Sequence, residues 1–226
     1  MSRETFLARV RQAAEIGRQY RVHINPFPPE TGYVGVKEDL CERLAAEITA
    51  VGGEATLVPS VAAAREFVAK LLMEAHARSA LCWQHELLER LGLTELLQSR
   101  GIAQHTYRSL SAVAETERRP TQLACDVGIT GVDLAIAETG SLALCSQPGH
   151  ERTASLLPPF YIAVVERAQI VPDLLDAFAW LQKRGLENLP SNMALVTGPS
   201  KSGDIELTLT TGVHGPGRWC VVIIQS

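Results

Sequence analysis

Three polar segments in the C-terminal half hold the residue types best suited to chemistry. The first, residues 138–141, consists of Glu138, Thr139, Gly140 and Ser141 and follows the glycine-containing stretch 128–133. It combines a carboxylate, two hydroxyls and a glycine that permits turns which other residues resist. Two interpretations are open: a polar hairpin corner with a solvated glutamate, or a ligand site at a strand end, where open α/β sheets bind their ligands.

The second segment, residues 197–206, is dense in groups that bind anions. Successive backbone N–H groups around its glycines can hold a phosphate or carboxylate, and Lys201 adds a positive charge. It is not a P-loop, because Asp204 stands where that motif requires lysine. On a strand Asp204 and Glu206 would face the same way, as an acid/base or metal pair must, although they could equally orient loop amides.

The third segment, residues 212–217, places His214 among glycines on a tight turn. This histidine could donate to a substrate oxygen, act as a base or ligate a metal, and an inert loop histidine is the alternative. We predict that the three segments share one cleft for a small anionic molecule. The catalytic candidates are Glu138, Asp204, Glu206 and His214, and the substrate-binding candidates are Thr139, Gly140, Ser141, Gly198, Ser200, Lys201 and Ser202.

The remaining histidines and the cysteines lack the spacing of a metal site. The five cysteines are scattered without a CxxC pair, which is typical of reduced, buried thiols in a cytoplasm. No HxxxH or HxH pair occurs among the histidines. We therefore expect no tightly held zinc, no iron–sulfur cluster and no other cofactor in this chain.

Charge and hydropathy exclude several classes of protein. The 226 residues are 46% hydrophobic and 20% charged, with a formal net charge of -4, so there is no general basic footprint for nucleic acid. No apolar run approaches the ~20 residues that cross a bilayer, and the first residues do not resemble a signal peptide. We expect a cytoplasmic protein without a membrane span.

The elements that must position these segments alternate between helix and strand. An amphipathic pattern predicts a helix over residues 3–20, and the proline-rich stretch 25–32 ends it. We therefore predict an N-terminal helical arm and linker over residues 1–30 and an α/β domain over 31–226. The arm is free, docks on a partner subunit or packs back on its own domain, and the pattern leaves these open.

Within the domain, strands at 55–58, 80–83 and 102–105 alternate with helices, which predicts a parallel sheet covered on both faces. Strands follow at 134–137 and 141–145, paired as a hairpin, and at 160–165, 193–197 and 219–224. Pro172 is predicted to open a helix that runs to about residue 184.

Taken in order, residues 126–144, 198–206 and 212–216 resemble the signature segments of the LUD-domain family, in the branch of small lactate-utilisation C proteins. The resemblance implies an α/β, Rossmann-like three-layer sandwich similar to the glucosamine-phosphate deaminase, ribose-phosphate isomerase and CoA-transferase superfamily. In that superfamily ligands gather at the carboxyl ends of strands. The resemblance also implies a role in oxidising L-lactate to pyruvate alongside two iron–sulfur partner proteins, which would carry the clusters.

Three functions are compatible with these observations. The chain is an accessory or assembly subunit of a lactate-oxidising complex, or a subunit whose pocket binds the hydroxy acid. The third is a stand-alone enzyme of the sugar-phosphate isomerase, CoA-transferase or folate-cyclising type. Whether the chain is itself an enzyme is open at this point.

Overall fold

The computed structural model describes residues 2–18, 38–203 and 209–226. The chain divides into two compact units, Met1–Val34 and Gly35–Ser226. The first unit contains helix α1 (Arg3–Arg18), which agrees with the helix predicted over 3–20, and its apolar side chains Phe6, Val10 and Ile16 are exposed. The predicted proline-rich linker lies outside the described residues. Among the described helices, none is both long and apolar enough to cross a membrane.

The second unit alternates helices and strands in its first half and is richer in strands in its second. Its helices are α2 (Leu40–Ala50), α3 (Val61–Glu74), α4 (Glu86–Arg90), α5 (Leu93–Ser99), α6 (Tyr107–Ser111), α7 (Glu115–Leu123), α8 (Thr153–Leu156) and α9 (Leu174–Lys183). Its strands are β1 (Glu54–Val58), β2 (Ser79–Cys82), β3 (Ala103–His105), β4 (Val127–Thr130), β5 (Leu134–Ile136), β6 (Ser141–Cys145), β7 (Phe160–Glu166), β8 (Ile170–Val171), β9 (Met193–Val196), β10 (Lys201–Gly203), β11 (Leu209–Thr211) and β12 (Arg218–Ile224).

Six strands form a parallel central sheet in the order β1-β12-β7-β4-β2-β3. Helices cover both of its sides, which confirms the predicted α/β sandwich. The central strands β7 and β12 are almost wholly buried and rich in valine and isoleucine, as expected for strands covered on both faces. Because all six strands run the same way, the sheet has one edge of strand starts and one of strand ends, here called the amino edge and the carboxyl edge.

A second sheet, β8-β5-β6-β9, forms a further layer. Strands β5 and β6 pair antiparallel with Ile136 opposite Ser141, so the predicted hairpin is confirmed. Helix α9 contacts β5 and β8. This helix begins at Leu174, two residues after Pro172, because Asp173 caps it by accepting the Asp176 amide. Pro172 therefore precedes the cap and does not occupy the first turn as predicted.

The glycine-containing stretch 128–133 does not form a polar turn. Its first residues belong to β4, which is buried along its whole length in the parallel sheet. A Cβ on Gly128 would lie 1.8 Å from the carbonyl oxygen of Ala154, so glycine is needed here to let the backbone of α8 approach the strand.

Candidate functional site

The second and third polar segments meet at the amino edge of the parallel sheet. The amide of Ser200 donates to the carbonyl of Pro216 at 2.9 Å, and the amide of Gly212 donates back to the carbonyl of Ser200 at 2.9 Å. The amide of Gly217 donates to Pro159, the residue before β7, at 3.0 Å. The superfamily resemblance implies ligands at the carboxyl ends of strands. The second segment does follow the carboxyl end of β9, but β9 belongs to the second sheet and ends beside the amino edge of the parallel sheet.

A chain of hydroxyl groups connects the first segment to the second. The Oγ1 of Thr139 lies 2.7 Å from the Oγ of Ser141, which lies 2.7 Å from the Oγ1 of Thr197. Thr197 was not among the predicted site residues. The one signal for it in the sequence is its position between a strand and Gly198, the first glycine of the second segment.

The turn of the first segment is held against helix α2. Gly140 has a φ of +64°, and a Cβ there would lie 2.8 Å from backbone atoms of Glu47 and Ile48. A side chain at this position is therefore disfavoured by the left-handed backbone conformation and by overlap with α2, which supports the predicted need for glycine. The amide of Glu138 donates to the carbonyl of Pro172 at 3.0 Å, and Glu138 is half-buried.

A cleft of about 260 Å³ lies between the amino ends of β7 and β12 and the end of β9. Of the predicted residues it brings together Gly198, Ser200 and His214. Thr197 also lines it and connects it to Thr139 and Ser141 through the hydroxyl chain. We call this the amino-edge cleft.

The floor of the amino-edge cleft contains a buried donor that lacks a partner. Trp219 is 1% exposed and lines the cleft, yet no described residue accepts a hydrogen bond from its Nε1. A Cβ on Gly53 would lie 2.5 Å from Cε3 of Trp219, so the benzene edge of the indole faces Gly53 and Nε1 lies on the opposite side of the ring. An unsatisfied buried N–H costs about 1–3 kcal/mol, which a bound acceptor would recover.

The other groups on this floor are neutral. The hydroxyl of Tyr161 lies 2.7 Å from the Oγ1 of Thr130, and burial raises the pKa of Tyr161 so that it stays protonated. The Oγ of Ser155 donates to the carbonyl of Arg152 at 3.0 Å. The floor is thus buried and uncharged, and the N–H of Trp219 is its one donor without a partner among the described residues, which suits a ligand that offers an acceptor oxygen.

Lys201, Ser202 and the residues of the first segment are not among the walls of the cleft. The Nζ of Lys201 donates to the carbonyl of Val51 at 2.5 Å, at the C-terminal end of α2, where a positive charge is favourable. Ser202 lies on the β10–β11 ribbon, opposite Thr210. Asp204 and Glu206 fall outside the described residues, so their predicted pairing stays a prediction.

A second polar cluster lies at the carboxyl edge, in a region where we predicted no site from the sequence. The rings of Trp83 and His150 stack with centroids 4.3 Å apart. The Nε1 of Trp83 donates to the carbonyl of Glu151 at 2.9 Å. His150 must donate through Nε2 to the carbonyl of Gln84 (3.1 Å), since a carbonyl only accepts, and its Nδ1 then accepts from Gln147 (2.9 Å). These contacts join the loops after β2 and β6.

His85 belongs to the same cluster and has a fixed tautomer. Its Nδ1 accepts the amide of Leu87 at 3.1 Å, which leaves the proton of the neutral ring on Nε2. Burial and the neighbouring His150 hold the pKa of His85 below its ordinary value. The carboxylates of Asp133, Glu86 and Glu166 act in the opposite direction more weakly.

The five cysteines are free and buried. Burial raises the pKa of Cys82 and Cys220 to about 12 and that of Cys125 and Cys145 to about 11, so these thiols are protonated at neutral pH. Within the described ranges, no three His, Cys, Asp or Glu side chains are grouped to hold a metal ion. The expectation of no tightly held metal stays a prediction.

Comparison with known proteins gives these sites a context. The LUD domain profile matches residues 41–224. This chain belongs to the LUD-domain family. Lactate utilization protein C of Geobacillus sp. (strain WCH70) is 31% identical over 240 residues, covering 99% of this chain and 95% of that protein. Lactate utilization protein C 1 of Bacillus mycoides is 35% identical over 71% of this chain and 68% of that protein.

A third LUD-domain relative, Lactate utilization protein C of Halalkalibacterium halodurans, is 33% identical over 69% of this chain and 66% of its own length, just under two thirds. Among solved structures, a DUF162-family protein from Deinococcus radiodurans superposes with a TM-score of 0.57 at 22% identity. The superposition covers 82% of this chain and 96% of that one. This likeness supports the fold alone. The family resemblance seen in the three polar segments is thereby confirmed.

Proposed function

We propose that this LUD-domain protein is a component of a lactate-utilisation system that oxidises L-lactate to pyruvate together with two iron–sulfur partner proteins. The observation that carries the proposal is the 31% identity to a Lactate utilization protein C over 99% of this chain and 95% of that protein. Similarity over nearly the full length of both chains supports a shared role better than a shared domain does.

Within that system, the chain binds the small acid in the amino-edge cleft. A hydroxy acid or oxo acid has oxygens that accept hydrogen bonds and a methyl group that prefers apolar surroundings. The cleft provides donors in Trp219 and Ser200, and Leu156 and Leu195 line it as apolar neighbours. Lactate oxidation releases two electrons and two protons, and redox chemistry of this kind is usually carried by a cofactor. The thiols of this chain are buried and protonated, so cluster ligands would come from the partner proteins.

A direct assay tests the accessory role. L-lactate and an artificial electron acceptor are supplied to the purified chain alone and then with both iron–sulfur partners. We expect turnover only in the complete mixture, and loss of growth on lactate when the gene is deleted in its host. Robust turnover by the chain alone would overturn the accessory role and favour a catalytic subunit.

Binding in the cleft is tested with Trp219→Phe, which keeps the aromatic packing and removes the N–H. L-lactate and pyruvate are titrated by calorimetry, with Trp180→Phe, on α9, as the control. A hydrogen bond to a charged group contributes about 1.5–3 kcal/mol, so Trp219→Phe should weaken binding by roughly tenfold or more. If Trp219→Phe binds as tightly as the control, Trp219 does not hold the ligand.

A further inference from the structure

The carboxyl edge has the geometry at which open α/β sheets bind ligands. Strands β2 and β4 are neighbours, but the chain after β2 leads to β3 on one side and the chain after β4 leads to β7 on the other. Where connections diverge in this way, a crevice forms between the strand ends, and ligands bind in it. The amino-edge cleft lies at the opposite edge of the same sheet, so the two regions are separate.

A cleft of about 380 Å³ lies beside this switch point, at the carboxyl ends of β2 and β3, and is in the size range of small-molecule sites. Its walls come from the residues that follow the strands: Trp83, Gln84 and His85 after β2, and Thr106 and Arg108 after β3. We call this the switch-point cleft. None of its residues was indicated by spacing in the sequence.

His85 offers this cleft a donor and no acceptor. Its Nδ1 is occupied by the amide of Leu87, so Nε2–H is the free position of the neutral ring. The ring lies directly against the backbone after β4, since a Cβ on Gly131 would be 2.5 Å from Nδ1. The donor is therefore held in place by two strand ends.

Arg108 adds a positive charge that the rest of the described chain does not neutralise. Several other arginines of the domain are engaged, as Arg90 is with Glu166 and Arg218 with Glu54. Arg108 has neither an ion pair nor a hydrogen bond with any residue in the described ranges. The one carboxylate in the described walls, Glu89, is exposed.

We propose that the switch-point cleft is a second ligand site, which takes the oxyanion group of a small molecule, a carboxylate or a phosphate, between the guanidinium of Arg108 and the Nε2–H of His85. A donor without a competing acceptor selects an oxyanion over a cation, and arginine binds such groups through paired N–H donors. The site is independent of the lactate role, because it shares no wall with the amino-edge cleft.

The test uses the full chain with inorganic phosphate and acetate as probes, which separates the two sources of the oxyanion. Binding is followed by the backbone amide NMR shifts of Leu87 and Gly131, with chloride at matched ionic strength as the blank. His85→Asn keeps a side-chain acceptor that can cap α4, and it replaces the imidazole N–H donor with a shorter side chain. Arg108→Gln removes the charge, and Arg119→Gln removes a matched exposed charge on α7.

We expect saturable shifts with at least one probe, and a weakening of roughly tenfold or more in both His85→Asn and Arg108→Gln, since each loses a charge-assisted bond. Arg119→Gln and Trp219→Phe should bind like the wild type. The proposal is overturned if neither probe gives a saturable shift by roughly 50 mM, or if chloride reproduces the shifts. It is also overturned if Arg119→Gln weakens binding as much as Arg108→Gln.

Discussion

Gly140 and Gly101 have the same backbone conformation but different surroundings. Comparing their alanine variants therefore separates the free-energy cost of a strained backbone from that of steric overlap. Gly140 has a φ of +64° and would place a Cβ 2.8 Å from the backbone of α2, whereas Gly101 has a φ of +66° and has nothing within 4 Å. Alanine in the left-handed region costs about 1–2 kcal/mol at either position. Overlap with packed backbone adds about 1–3 kcal/mol at Gly140 alone. We therefore expect Gly101→Ala to cost about 1–2 kcal/mol and Gly140→Ala about 2–5 kcal/mol.

Urea denaturation of both variants measures these losses of unfolding free energy. An unchanged dependence of that free energy on urea concentration would show that the unfolded state is unaffected. Each kcal/mol corresponds to a shift in Tm of about 2–4 °C for a chain of this size. Gly140→Ala should also weaken ligand binding in the amino-edge cleft, because moving the turn shifts Thr139 and Ser141 relative to Thr197. Equal losses of stability in the two variants would refute the close approach of the turn to α2.

Further predictions concern pH, metal content and Lys201. Because burial and His150 lower the pKa of His85 in the fold, the unfolded chain takes up its proton first as the pH falls below 6.5. Stability should therefore decline with falling pH below that value. His85→Asn should make the free energy of unfolding depend less on pH, as measured by urea titrations at several pH values. An unchanged pH dependence would contradict the lowered pKa of His85. Elemental analysis of protein purified without chelator should find well below one zinc or iron per chain; a stoichiometric metal would overturn that expectation. Lys201→Ala should lower the free energy of unfolding by no more than about 1 kcal/mol, since its bond to Val51 is exposed; a larger loss would show that Lys201 has a further structural role.

The periodicity of apolar residues predicted most of the parallel sheet. Strands β1, β2 and β3 and the helices between them were expected from alternating patterns, and so was the β5–β6 hairpin. Strand β4 was missed because Gly128 and the polar residues near it resemble a turn, and only the approach of α8 explains that glycine. The very short strands β8, β10 and β11 carry no pattern long enough to predict.

Only part of the candidate cleft was predictable from the sequence. The sequence indicated Gly198, Ser200 and His214, which do line one cleft. It could not indicate Trp219 as a donor, because an unpaired N–H is a property of the packed structure. The cluster of Trp83, His85 and His150 joins residues that are far apart in the sequence. No short-range spacing of residues could therefore have indicated it.

Because all five thiols are buried, their reactivity can report local opening of the fold. Cys41 lies on α2, Cys82 on β2, Cys145 on β6 and Cys220 on β12, while Cys125 lies two residues before the start of β4. An alkylating reagent reaches a buried thiol only when the surrounding element opens, so the labelling rate of each cysteine reports the free energy of that opening. Mass spectrometry of one labelled sample would thus rank the stability of the parallel sheet, the hairpin layer and α2, without any introduced cysteine. Labelling repeated with L-lactate present would show which of these layers the ligand holds closed.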